Sequence, residues 1–113
     1  MELERARSLL AAERAQVQQL LTDLDAARAD DHVAERDAAY PAQPLVEQGV
    51  DDAAAAGLRH RLAKLERALQ RVEDGTYGRS IRSGVPIPDE RLEADPAAEL
   101  TVQEAADNRA TGR

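Results

Sequence analysis

The sequence predicts a mainly α protein: a long antiparallel coiled-coil hairpin, a small turn-rich base and a short C-terminal helix. Three observations carry that expectation. Apolar residues recur at seven-residue spacing in two separate stretches. Pro41, Pro44 and Gly49 interrupt the chain between them. After residue 75, Gly75, Gly78, Gly84, Pro86, Pro88 and Pro96 punctuate the chain into short turns.

The first helix is expected from residue 2 to about 29. Leu3, Leu10, Val17 and Leu24 form one seam position; Ala6, Glu13, Leu20 and Ala27 form the other. Glu13 breaks the seam, either pinning the register against a basic residue opposite or letting the seam splay. At 1.5 Å rise per residue, about 27 residues make a rod roughly 40 Å long.

The second helix repeats the pattern through Ala55, Leu58, Leu62, Leu65, Leu69 and Val72. Asp51 and Asp52 are placed as N-caps at the positive end of the helix dipole. Arg67 and Arg71 suit its negative end, and Asp74-Gly75 provides a stop with glycine at C′. Gly57 costs this helix about 1 kcal/mol relative to alanine. The prolines between the helices fold the two strands back on one another. Residues 1–74 are thus read as a hairpin with its tip at about 30–50, and 75–113 as the base.

Within the base, Val85 and Ile87 suggest a small strand, and a helical turn is expected over Asp89 to Glu93. Thr101-Val102-Gln103-Glu104 fits a capping box that opens a last helix reaching about Asn108, with a frayed tail from Arg109 to Arg113.

Composition limits the core. Leu, Ile, Val and Phe total 22 of 113 residues, while alanine alone supplies 23. Alanine favours helix but buries little area, so a thick multilayer core is excluded and an elongated helical protein remains. No run of about 18 apolar residues exists, which argues against a membrane span. The opening MELERARSLLAAERA carries charge throughout, unlike a signal peptide. Fourteen arginines against one lysine, with abundant alanine, suggest a GC-rich bacterial genome and a cytoplasmic protein.

Charge is concentrated. Between Asp30 and Asp52, seven acids stand against Arg36 alone, so that segment carries −6 of the net −7. Direct DNA binding is disfavoured there; a basic cleft or a bound cation is the expected partner. His32 and His60 have no second ligand at useful spacing and read as solvent-exposed. The basic face of helix two, Arg59, Arg61, Arg67 and Arg71, reads as solvated or as paired with helix one, with a partner contact as the alternative. No nucleophile with a base, phosphate-cradling glycine loop or metal constellation is present, so an enzyme is not expected.

From Ala68 to Glu104 the chain reads ALQRVEDGTYGRS and then SGVPIPDERLEADPAAEL. This block resembles the DksA/TraR family of bacterial RNA polymerase regulators, in which a small zinc finger packs at the base of a helical hairpin. The family's finger has two Cys-x-x-Cys pairs. Here Ser80 and Ser83 stand at the first pair and Thr101 and Glu104 at the second, with 17 residues, Gly84 to Leu100, between them. The chain has no cysteine. Neutral hydroxyls are poor zinc ligands, so no zinc cofactor is expected and the finger is read as metal-free. Serine hydroxyls can instead accept bonds from knuckle amides, and Thr101 and Glu104 can exchange cap bonds. Loss of the metal removes a large folding contribution. Tyr77, Ile81, Val85, Ile87, Leu92, Leu100 and Val102 are therefore expected to pack the base.

The resemblance implies a monomer that binds bacterial RNA polymerase, inserting the hairpin into the secondary channel so that acids at the tip act near the catalytic Mg²⁺. The candidates are Asp30, Asp31, Glu35 and Asp37. The family's Asp-x-x-Asp-x-Ala tip pattern is absent from this sequence. The alternative is a structural interaction protein that uses Leu9 and Leu21, beside the seam, for self-association or another partner.

Overall fold

The computed structural model describes residues 1–38 and 45–111, with side chains over 1–28 and 52–109. Four helices follow in order: α1 (Leu3–Ala38), α2 (Leu45–Asp74), α3 (Asp89–Ala94) and α4 (Val102–Thr111). Two compact units form, one from Met1–Glu13 with Lys64–Arg113 and one from Arg14–Ala63.

In each unit α1 and α2 run antiparallel. Arg7 Nη2 meets Glu73 Oε1 at 3.2 Å in the first unit. Arg28 pairs with Asp52 in the second. The residue numbers of both pairs sum to 80, so the register is the same in each unit. Ala6, Leu10 and Val17 on α1 and Ala55, Leu65 and Val72 on α2 are buried seam residues as expected, while Ala68 is buried where Leu69, only half-buried, was expected. The seam is incomplete: Leu3 is 46% exposed and Leu20 is 45% exposed. In this register Leu20 is opposite His60, itself exposed, on a stretch of α2 whose neighbours Ala53–Gly57 offer little apolar area. Glu13 is half-buried, as a polar seam residue must be if its carboxylate is to stay solvated.

Both long helices exceed their expected length. α1 continues nine residues past 29 to Ala38, and α2 begins at Leu45. The acidic composition of 30–38 suggested a loop, but it contains no glycine or proline, and alanine, glutamate and arginine favour helix. Asp51 and Asp52 consequently lie inside α2 and are not its N-caps; Asp52 is used as an ion-pair partner instead.

The stop of α2 is a Schellman motif. Gly75 adopts φ +79°. Thr76 N–H reaches Arg71 O at 2.9 Å and Gly75 N–H reaches Val72 O at 3.4 Å, closing two terminal carbonyls. A left-handed residue is required at that position, and glycine supplies it without steric cost.

No strand forms among the described residues. The expected strand at Val85 and Ile87 is a single antiparallel bridge between Arg79 and Pro86. Ser80 N–H to Val85 O and Ile87 N–H to Gly78 O, both 2.8 Å, flank it. Pro86 has no N–H to extend a ladder, and the chain reverses at Gly84. α4 extends to Thr111, so Arg109 is helical rather than part of a frayed tail.

The base core is smaller than expected. Ile87, Leu92 and Ala98 are buried, with Met1 and Tyr77 packed against them. Ile81 (59% exposed), Val85 (47%) and Val102 (61%) lie outside it, contrary to their assignment as packing residues. The knuckle is closed by backbone hydrogen bonds, which leave these side chains outward, and buried Ala97 and Ala98 take the inner positions.

Candidate functional site

The expected site has two parts. Asp30, Asp31, Glu35 and Asp37 lie on the last turns of α1 rather than in a loop. Their side chains, with His32, fall outside the described ones. His60 is exposed on α2.

The second part is the base. Ser80 is the buried polar residue of the described chain, 5% exposed. Its Oγ accepts N–H bonds from Arg82 at 3.1 Å and Ser83 at 3.2 Å. Ser83 Oγ accepts from Val85 N–H at 3.4 Å. At the start of α4, Thr101 N–H donates to Glu104 Oε1 at 2.9 Å and Glu104 N–H donates to Thr101 Oγ1 at 3.2 Å, which is the capping box. The Ser83 and Ser80 hydroxyls also favour the ionised Glu104 carboxylate. With Ser83 the largest influence and the Thr101 amide next, these hold its pKa down at about 2. The four positions that align with finger cysteines are therefore hydrogen-bonded as two pairs, Ser80 with Ser83 and Thr101 with Glu104.

They do not fit zinc. The set offers three neutral hydroxyls and one carboxylate, with no thiolate or imidazole. The Ser80 oxygen is already taken up by two N–H donors. Among the described residues no group of three or more His, Asp or Glu side chains could hold a metal ion.

Charged residues close the rest of the base. Arg67 on α2 grips Glu99 with two nitrogens, Nε to Oε2 at 2.9 Å and Nη2 to Oε1 at 3.1 Å. Arg71 Nη1 joins the same Oε2 at 3.3 Å. Lys64 Nζ lies 3.5 Å from Asp95 Oδ2. The Arg67 hydrogen bond lowers the Glu99 pKa against an opposing effect of burial, and the nearby Arg67, Arg71 and Lys64 charges add to the lowering. Two residues of the predicted basic face thus pair with the base, not with helix one. Glu99 and Asp95 were not foreseen, although acids four apart opposite bases three and four apart were there to be matched. Tyr77 OH donates to Pro96 O at 2.7 Å, and burial raises its phenol pKa. Arg91 Nε donates to Leu100 O at 2.7 Å.

Together these features define a helical-hairpin protein with a finger-shaped base held without metal ligands. No family model matches the chain. General stress protein 16O of Bacillus subtilis is 51% identical over 49 residues, 43% of this chain and 30% of that protein. The RNA polymerase-binding transcription factor DksA of Caulobacter vibrioides is 47% identical over 45 residues, 40% of this chain and 32% of that protein. The matches thus span about a third of these relatives' length. The structure of transcription factor DksA2 from Pseudomonas aeruginosa has the same fold, with TM-score 0.73 and 21% identity, over 98% of this chain and 85% of that one. The chain is thus similar in sequence, over the matched block, to a factor named DksA and in fold to DksA2, and it has no cysteine. No described helix is long and apolar enough to cross a membrane.

Proposed function

We propose that this chain is a non-enzymatic, cytoplasmic transcription regulator that binds bacterial RNA polymerase as a monomer and inserts the acidic end of its hairpin into the secondary channel to modulate initiation. The observation that carries this is the 47% identity over 45 residues with a factor named for binding RNA polymerase. The charge map agrees with it: residues 30–52 carry −6 of the net −7, which suits a basic channel leading to bound Mg²⁺ and repels duplex DNA.

The test is binding to bacterial core RNA polymerase in competition with a secondary-channel binder. The wild type is run beside the variant Asp30→Asn, Asp31→Asn, Glu35→Gln, Asp37→Asn. Competitive binding by the wild type, with altered transcription by the variant, is expected. No binding at tens of micromolar defeats the proposal.

One observation favours a second role. Leu3, Leu9 and Leu20 on α1 are exposed, which suits self-association. Sedimentation separates the two: a monomer supports channel insertion, and a stable dimer or tetramer supports the interaction role.

A further inference from the structure

We propose that the knuckle of the base is a docking surface for a partner protein that presents acidic side chains beside aliphatic ones. Ile81 (59% exposed), Val85 (47%) and Val102 (61%) are three of the six large apolar side chains left exposed among the described residues. They are spread over the sequence and gathered by the fold. Ser80 N–H to Val85 O at 2.8 Å closes the knuckle, and Ile81 N–H to Glu99 O at 2.9 Å ties it to the segment that reaches Val102 three residues later. A single exposed apolar residue is ordinary, whereas several gathered at one end of a unit mark an interaction surface. Folding does not account for them, because the base core is Ile87, Leu92 and Ala98 with Met1 and Tyr77.

Charge indicates the partner. Gly75 to Pro88 is the longest acid-free run of the chain, 14 residues in a protein of net charge −7, and it contains Arg79 and Arg82. Arg79 Nη1 donates to Gly84 O at 3.1 Å, which holds its guanidinium beside the turn into Val85. Arg82 is exposed, and its side chain has no hydrogen bond or ion pair among the described residues. Aliphatic side chains bordered by arginine match the composition of protein–protein interfaces, where the centre is apolar and arginine is enriched. A carboxylate on the partner would meet Arg82 in a charge-assisted pair.

Other occupants fit less well. A second copy docked by a two-fold contact sets the patch against itself and brings Arg79 and Arg82 toward their own like charges. Two arginines fall short of the cluster of about four to eight basic residues that recognises anionic lipid, and the chain as a whole is acidic. None of this depends on polymerase binding.

The experiment is amide chemical-shift mapping on the full chain, with two synthetic amphipathic helices as probes. One has a leucine face and a glutamate face; the other has leucine and lysine faces. The glutamate helix is expected to shift the amides of residues 79–85 and 101–103, and the lysine helix to leave them in place. Ile81→Ser/Val102→Ser should weaken the glutamate helix about tenfold or more. Arg82→Glu should weaken it similarly and let the lysine helix bind at the knuckle. The changed side chains are exposed, so both variants should melt with the wild type, which separates a lost contact from a lost fold. Absence of knuckle shifts at millimolar glutamate helix overturns the proposal, as does an equal response to the two helices. An oligomer in sedimentation that Ile81→Ser disperses overturns it in favour of a second copy. Binding to phosphatidylglycerol vesicles that Arg82→Glu abolishes overturns it in favour of a membrane.

Discussion

Arg67 and Glu99 form a two-pronged ion pair across 32 positions of sequence, its two contacts measuring 2.9 Å and 3.1 Å. Arg71, only 13% exposed, approaches the same carboxylate at 3.3 Å. Glu99 is thus shared by two guanidinium groups, one solvated and one largely enclosed, and it fastens the segment after α3 to α2.

Glu99→Gln is expected to lower stability by about 1 kcal/mol, a value discounted because Arg67 is half exposed. Arg71→Ala should cost more than Arg67→Ala, since its side chain is the more enclosed of the two. Urea unfolding of the three variants checks the order. A double-mutant cycle between Arg67 and Glu99 should give non-additive values.

Acid should loosen the base. Glu99 and Glu104 both have folded pKa values below 4.5, Glu104 at about 2. A depressed carboxylate contributes stability that is intact above its unfolded pKa and is lost as pH falls through the folded one. The melting temperature is therefore expected to hold above about pH 5 and to fall as the pH drops from there toward 2. Glu99→Gln/Glu104→Gln should flatten that slope. An equally steep fall in the double variant would place the acid sensitivity in other groups.

EDTA, added Zn²⁺ and thiol oxidants are expected to leave melting temperature unchanged, because the chain has no cysteine and its finger-aligned polar groups are bonded to one another in pairs. Thermal melts with and without each reagent check this.

Core and surface apolar residues of the base should part company. Leu92 is 1% exposed and its replacement by alanine should cost about 2–5 kcal/mol. Ile81, 59% exposed, should cost under about 0.5 kcal/mol when changed to serine. Chemical denaturation distinguishes them.

Two glycines should respond with opposite sign. A methyl at Gly57 meets nothing within 4 Å, so Gly57→Ala should stabilise α2 by up to about 1 kcal/mol. Gly75 holds φ +79° in the Schellman turn, and Gly75→Ala should destabilise by about 1 kcal/mol although its space is open.

The sequence made the hairpin, its heptad seam, the glycine stop and the capping box legible, because each is a local pattern with one physical cause. Val72, Gly75, Thr101 and Glu104 do what their spacing indicated. Helix ends were less legible: the run from Asp30 to Ala38 is acidic enough to resemble a loop, yet nothing in it breaks a helix. The base packing was misread at Ile81, Val85 and Val102, since an apolar residue in a turn is placed by backbone hydrogen bonds that spacing does not reveal. Within the candidate site, the cysteine-aligned positions could be found by counting. The grip of Arg67 and Arg71 on Glu99 was present only as matching spacings of acids and bases, and which of them meet depends on how α3 returns the chain to α2.

Unit 1 draws on both ends of the chain, residues 1–13 and 64–113, whereas Arg14–Ala63 is one continuous stretch. Synthesis therefore imposes an order. The continuous unit has all its residues before the other has half of its own, and Arg5 must wait for Glu93, 88 positions later, to find its ion-pair partner. At roughly 5–20 residues per second the first helical turns remain without their partners for about 4–18 s. Buried Ala6 and Leu10 are uncovered for the part of that interval that precedes the end of α2 at Asp74. Slowed translation of the second half would lengthen it, so the stretch of nascent chain most open to misassociation is residues 1–13.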